Sequence, residues 1–154
     1  MIFEDVPSFA DALPDYGAIA GLDLGTKTIG VAVSDHMRSI ATPLQTIKRQ
    51  KFTQDADHLL SICEGRQLCG LILGLPRNMD GSEGPRAQST RAFARNLAQK
   101  MDLPISFWDE RLSTVAAEKA LLEADTTRKR RSEVIDHVAA SYILQGALDR
   151  LRHL

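Results

Sequence analysis

Apolar and polar positions change period several times along the chain, and each change marks a predicted element. Residues 18–24 form a short apolar run ending in Asp23-Leu24-Gly25, and residues 29–34 form a second. Both read as strands, joined by a hairpin turn between Gly25 and Gly30. Residues 40–47 read as a third strand. Pro43 puts that strand at a sheet edge or a bulge, because proline cannot donate to the ladder. Phe52, Ala56, Leu59, Leu60 and Cys63 then recur at helical spacing. Residues 68–75, LCGLILGL, are apolar throughout except for glycines, as in a strand covered on both faces. Phe93, Leu97 and Met101 mark another helix, and residues 105–108 a fifth strand. Ser113 or Thr114 is placed to cap a helix carrying Val115, Ala120 and Leu121. Ser132 is placed to cap the last helix, whose apolar positions from Val134 to Leu151 nearly encircle it and predict burial on most sides.

The resulting order, β-β-β-α-β-α-β-α-α, predicts an α/β fold. Its five-stranded mixed sheet has an antiparallel three-strand meander followed by two parallel strands, with helices on both faces. A length of 154 residues suits one domain. Because the first strand starts near Ala18, residues 1–16 read as an N-terminal extension and residues 17–154 as the single domain. No apolar run is long enough to span a bilayer. The acidic N-terminus, with Pro7 and Pro14, lacks the apolar stretch of a leader. Cys63 and Cys69 read as reduced core residues. These features predict a cytoplasmic protein without a membrane partner. A net charge of -1 argues against a protein that coats nucleic acid, while leaving room for a local basic patch such as Arg128, Lys129, Arg130 and Arg131.

Candidate chemistry lies in carboxylates that interrupt apolar sequence. Asp23 sits near the end of the first strand, where an unpaired charge is costly. Glu110 ends the fifth strand. Asp109 precedes it, and alternation allows only one of the two to share a face with Asp23. Asp136 lies in the first turns of the last helix, where the macrodipole favours an acid. Taken singly, each has a plain structural explanation. Taken together, two lie at carboxyl ends of strands, where ligands gather in open α/β sheets, and the third begins a helix able to pack across them. Three acids without a matching base repel unless a cation neutralises them, and their hard oxygens suit Mg²⁺ or Mn²⁺. Such ions support phosphodiester hydrolysis. The histidines, His36, His58, His137 and His153, read as mostly surface residues, and no Cys/His spacing suggests zinc.

Four motifs carry a resemblance. GLDLGTKTIGVAVSD at residues 21–35, ILGLPRNMDGSEGPRA at 72–87, DERLSTVAAEKAL at 109–121 and IDHVAASYIL at 135–144 together resemble the YqgF/RuvX family of RNase H-like proteins. The resemblance runs from about residue 18 to 148. It implies an RNase H-like fold and a nuclease that matures the 5′ end of pre-16S ribosomal RNA in ribosome biogenesis, or a Holliday junction resolvase acting on four-way DNA. It also implies that Asp23, Glu110 and Asp136 are the acidic catalytic and metal-binding positions. In the related RuvC resolvases an acid ends the fourth strand. Here that strand ends Gly74-Leu75-Pro76, so Glu110 on the next strand has to replace it.

Around these acids, Thr26, Lys27, Arg77, Asn78, Arg86 and Arg111 are candidate contacts to nucleic acid, and Gly81 and Gly84 would let the loop between residues 76 and 85 move. Arg128, Lys129, Arg130 and Arg131 are further candidates, although a charge run is usually a solvated loop. Precursor ribosomal RNA or branched DNA is the expected partner, and a monomer or weak homodimer the expected state. A non-catalytic ribosome assembly factor is the alternative outside enzymes. Asp23-Leu24-Gly25-Thr26 also resembles the phosphate loop of actin and Hsp70, but one domain of this length lacks the second lobe needed to enclose ATP.

Overall fold

Two strands have nothing polar to expose except one acid, and they lie at the centre of the sheet. These are β2 (Ala20–Leu24) and β5 (Leu71–Leu75), buried at every position. The computed structural model describes residues 1–112 and 128–154, with the side chains of 128–136 outside the description. Besides β2 and β5 the strands are β1 (Ile2–Phe3), β3 (Thr28–Ser34), β4 (Ala41–Lys48) and β6 (Ile105–Asp109). The helices are α1 (Val6–Ala12), α2 (Phe52–Arg66), α3 (Pro85–Ala98) and α4 (Arg128–Arg152), and a 3-10 turn, Glu110–Leu112, follows β6. The sheet order is β1-β6-β5-β2-β3-β4.

The meander and the parallel strands form as the apolar pattern requires. β2 and β4 run antiparallel to β3, and β5 runs parallel to both β2 and β6. β4 is an edge strand, and its register with β3 slips between Val31 and Ala32, beside Pro43. The missing proline N–H is therefore accommodated at an irregularity of the ladder. The hairpin turn is tighter than the sequence suggests, because Thr28 already belongs to β3 and the Gly25 N–H donates to the Thr28 carbonyl at 2.8 Å.

The sheet has six strands, where five were expected. Ile2 and Phe3 pair in parallel with Ile105 and Ser106, and the Ser106 hydroxyl donates to the Phe3 carbonyl at 2.8 Å. A two-residue strand has no readable period, so only its partner reveals it. The rest of the arm is α1, capped by Asp5, whose carboxylate accepts the Ser8 N–H at 2.8 Å. Phe9 in α1 is fully buried.

The core divides across the sheet. Leu22, Leu24, Leu71 and Leu73 pack with α2 and α3. Phe9, Ile19, Ala32 and Ile72 pack with α4. α4 begins at Arg128, so Ser132 lies inside the helix and does not cap it. Arginine and lysine are good helix formers, and the basic run is helical rather than loop. α4 buries one broad stripe, Ala139, Ala140, Ile143, Leu144, Ala147 and Leu148, while Val138, Tyr142 and Leu151 are only partly covered. Over its described side chains it is thus less encircled than its apolar positions imply. The helix expected at Val115–Leu121, with its Ser113 or Thr114 cap, lies outside the described residues.

Because Phe9 belongs to the α4-side core, Phe9→Ala should lower stability by about 3–5 kcal/mol, as for other buried aromatic truncations. Urea unfolding measures this, and an unchanged midpoint would mean that the arm is only an appendage.

Candidate active site

Strand register sets the height of the first acid. Thr46 of β4 pairs with Gly30 of β3, and Gly30 pairs with Asp23 of β2. Asp23 is only 6% exposed. Two residues earlier, Gly21 faces α4, because a Cβ built there would stand 2.6 Å from the Leu144 Cβ. Alternation therefore points Asp23 to the α4 side.

On β6, Trp108 points to α4, packing on Gly146, where a Cβ would come within 2.7 Å of the indole ring. Asp109 turns to the other face. Glu110, in the 3-10 turn rather than the strand, returns to the first. A Cβ added to Gly74 would stand 2.6 Å from the Glu110 Oε1 and 2.5 Å from the Ile143 Cδ1. The Glu110 carboxylate thus occupies the space a side chain at position 74 would fill. Continuing the Leu22–Leu73 register by one residue puts Gly74 beside Asp23. Neighbouring strands lie about 4.8 Å apart, so Asp23 and Glu110 open onto one place.

The backbone of Asp136 belongs to the part of α4 near this place. His137, the next residue, sets its Nδ1 3.0 Å from the Thr46 Oγ1, in the same cross-sheet row as Asp23. His137 is half-buried, not the surface residue the sequence suggests. The side chain of Asp136 lies outside the described residues, as do those of Arg128, Lys129, Arg130 and Arg131. Among the described residues, no three His, Cys, Asp or Glu side chains form a group able to hold a metal ion. Nor is there a thiol nucleophile at this place. Cys63 is buried, which pushes its thiol up to about 11, and Cys69 donates to the Ala18 carbonyl.

Two of the basic residues expected at a phosphate are held by acids. Asp109 accepts from the Arg111 guanidinium at 2.7 Å, and this contact first of all holds its carboxyl below the usual range. Arg77 lies 3.5 Å from Glu83 and 4.0 Å from Asp109. Arg91, which the sequence did not single out, grips Glu83 through two nitrogens and reaches Glu4 of the N-terminal arm at 2.8 Å. That grip is the main cause lowering the Glu83 carboxyl. The loop is further tied by a turn in which the Asn78 N–H donates to the Ser82 carbonyl and the Gly81 N–H to the Asn78 carbonyl, each at 2.9 Å. Gly81 has φ +89°, a conformation that only glycine adopts without strain. Gly84 has an ordinary φ of -81° and caps α3. The glycines here shape a tied loop.

The remaining candidates lie around the β2–β3 turn. Thr26 and Lys27 are exposed on it, and the Arg86 Nη2 donates to the Leu24 carbonyl at 3.1 Å. Arg49 joins them, with its Nη1 donating to the Gly25 carbonyl at 2.6 Å and its guanidinium 5.5 Å from the centre of the Phe93 ring. No motif marked Arg49, since an arginine just past a strand is ordinary sequence.

Two outcomes check this geometry. Gly74→Ala should displace Glu110 and Ile143 and cost about 1–3 kcal/mol on urea unfolding, as overpacking does elsewhere. For the loop, the lowered Glu83 carboxyl gives stability that is present above its unfolded value near pH 4.3 and is lost as pH falls through the lower folded value. Arg91→Gln should therefore lose less stability than the parent between neutral pH and pH 3, as read by denaturant midpoints.

Residues 17–150 match the family profile described as "RuvX: Holliday junction resolvase". The chain is 75% identical over 154 residues, the whole of both chains, to a Ruegeria pomeroyi protein named "Putative pre-16S rRNA nuclease". It is 74% identical to a Paracoccus denitrificans protein of the same name, over 100% of this chain and 98% of the other. Among solved structures it is similar to Thermus thermophilus RuvC in complex with Holliday junction substrate, with TM-score 0.55 and 12% identity over 88% of this chain and 96% of that one. It is also similar to the fowlpox virus Holliday junction resolvase, with TM-score 0.50 and 12% identity over 89% and 99%. At such identity these neighbours show the fold alone, a RuvC-like RNase H fold.

Proposed function

The chain belongs to the RuvX family, and from that premise we propose that it is a nuclease, a hydrolase of phosphodiester bonds, that processes the 5′ end of pre-16S ribosomal RNA in the cytoplasm. No described helix is long and apolar enough to cross a membrane. The observation that carries the reading is that the Glu110 carboxylate fills the space over Gly74, the residue that the strand register sets beside the buried Asp23.

Two carboxylates opening onto one place, one of them buried, are a donor set that fits a hard divalent cation. In this reading Asp23 and Glu110 hold Mg²⁺ or Mn²⁺, with Asp136 of α4 as the third ligand. A bound ion supplies Lewis acidity and lowers the pKa of a water. The protein contributes the rest. Burial of Asp23 and the seat of Glu110 over Gly74 hold the acids in place before substrate arrives, which is the requirement for electrostatic preorganisation. Thr26, Lys27 and Asn78 present exposed polar groups to the phosphates flanking the cut. Arg128, Lys129, Arg130 and Arg131 are further candidates to bring positive charge to nucleic acid. Arg77 and Arg111, already paired with acids, serve mainly to fix the loop.

A second reading, resolution of four-way DNA, is favoured by the family description. It requires two symmetric cuts and hence a dimer, whereas RNA maturation needs only a monomer or weak homodimer.

Purified protein should cut a pre-16S RNA fragment with Mg²⁺ or Mn²⁺ and lose that activity in EDTA. Asp23→Asn and Glu110→Gln should each reduce the rate by at least about a hundredfold while thermal unfolding shows them folded. Wild-type cleavage by both variants would end the metal-site reading. Preferential cutting of a four-way DNA junction in the same assay would transfer the function to the second reading. Full support of RNA maturation in cells by Asp23→Asn would leave only a non-catalytic assembly role.

A further inference from the structure

We propose that a second site, a cleft on the opposite side of the β2–β3 turn from the acids, holds a backbone phosphate next to the one being cut, with Arg49 and Arg86 as its donors. The cleft has a volume of about 480 Å³, and its polar lining includes Thr26, Arg49, Gln50, Arg86 and Ser89, with no carboxylate among the described residues that line it. That size is ordinary for a ligand cleft.

The two guanidinium groups are preset. Consecutive carbonyls of the turn, Leu24 and Gly25, accept one N–H from Arg86 and one from Arg49. Phe93 supports Arg49 from below. A guanidinium has five donors, so each arginine keeps most of its hydrogen-bonding capacity for a ligand. Among the described residues neither makes an ion pair, whereas Arg77, Arg91 and Arg111 are all paired with acids. If the arginines served only to staple the turn, one would suffice. Two cations facing one cleft, with no acid paired to either among the described residues, repel one another, a cost that an anion removes. A planar fork of N–H groups matches the oxygens of a phosphate.

The position relative to the acids identifies the anion as part of a polymer. Asp23 points to the α4 side, and the next residue, Leu24, points to the α2 and α3 side and lines the cleft. A strand cut at Asp23 and Glu110 has only to cross Gly25, Thr26 and Lys27 to reach Arg49 and Arg86. The inference takes from the nuclease reading the identity of the strand, but not the charge of the cleft.

The test uses the full chain in EDTA and reads anisotropy of a fluorescein-labelled single-stranded oligouridylate across a salt series. The double variant Arg49→Gln, Arg86→Gln should bind about tenfold more weakly. The slope of log affinity against log salt should flatten by about 0.7, the loss of one neutralised phosphate. Ser89→Asp keeps both arginines and their turn contacts but puts a negative charge in the cleft, and it should weaken binding to a similar degree even if the double variant fails to fold. Arg49→Lys with Arg86→Lys should keep the parent slope. Parent-like affinity and slope in both the glutamine variant and Ser89→Asp would overturn the proposal. So would binding of uridine monophosphate as tight as that of the oligonucleotide, which would make the ligand a free nucleotide. Because no cleavage is read and no metal is present, a failure of the nuclease reading leaves this result unchanged.

Discussion

The approach of α4 to the sheet governs the rest of the structure. Three glycines make that approach possible. A Cβ at Gly21 would meet Leu144, one at Gly74 would meet Ile143, and one at Gly146 would meet Trp108, each closer than 3 Å. Without those side chains the helix backbone sits against β2, β5 and β6 together. The contact buries the stripe from Ala139 to Leu148, and through it the N-terminal half of α4 is held level with the end of β2. The same missing side chain at position 74 gives Glu110 its place. Packing and chemistry share one constraint, so a change that pushes the helix outward also disturbs the acids.

The charged groups near the ends of β2 and β5 sort by what they touch. Asp23 and Glu110 gather on the α4 side, where they repel unless a positive charge intervenes. Around the β2–β3 turn and the loop after β5, five arginines fall into two groups. Arg77, Arg91 and Arg111 are bound to Glu4, Glu83 and Asp109, so they knit the N-terminal arm, the loop after β5 and the end of β6 into one frame. Arg49 and Arg86 lean on backbone carbonyls and, among the described residues, pair with no acid. A polyanion drawn to the second group meets the acids only a turn away.

The sequence by itself determined the order and type of the main elements. Unbroken apolar runs fit only strands covered on both faces, the helical spacing after Phe52 fits only one packed face, and Pro43 required an edge or an irregular register. It also singled out the acids, because a charge inside an apolar run is rare without a reason. Tertiary structure decided what no local pattern encodes. The two-residue strand β1 exists only because β6 offers it a free edge. Which of Asp109 and Glu110 faces Asp23 followed from the register of β6 and from the empty space over Gly74. Whether an arginine meets an acid or stays available depended on neighbours dozens of residues away, as Arg91 with Glu4 and Arg49 with Gly25 illustrate. The physical reason is range. Periodicity reports burial, which a segment expresses through its own spacing, whereas pairing, charge balance and close approach belong to segments that meet only after the chain has folded.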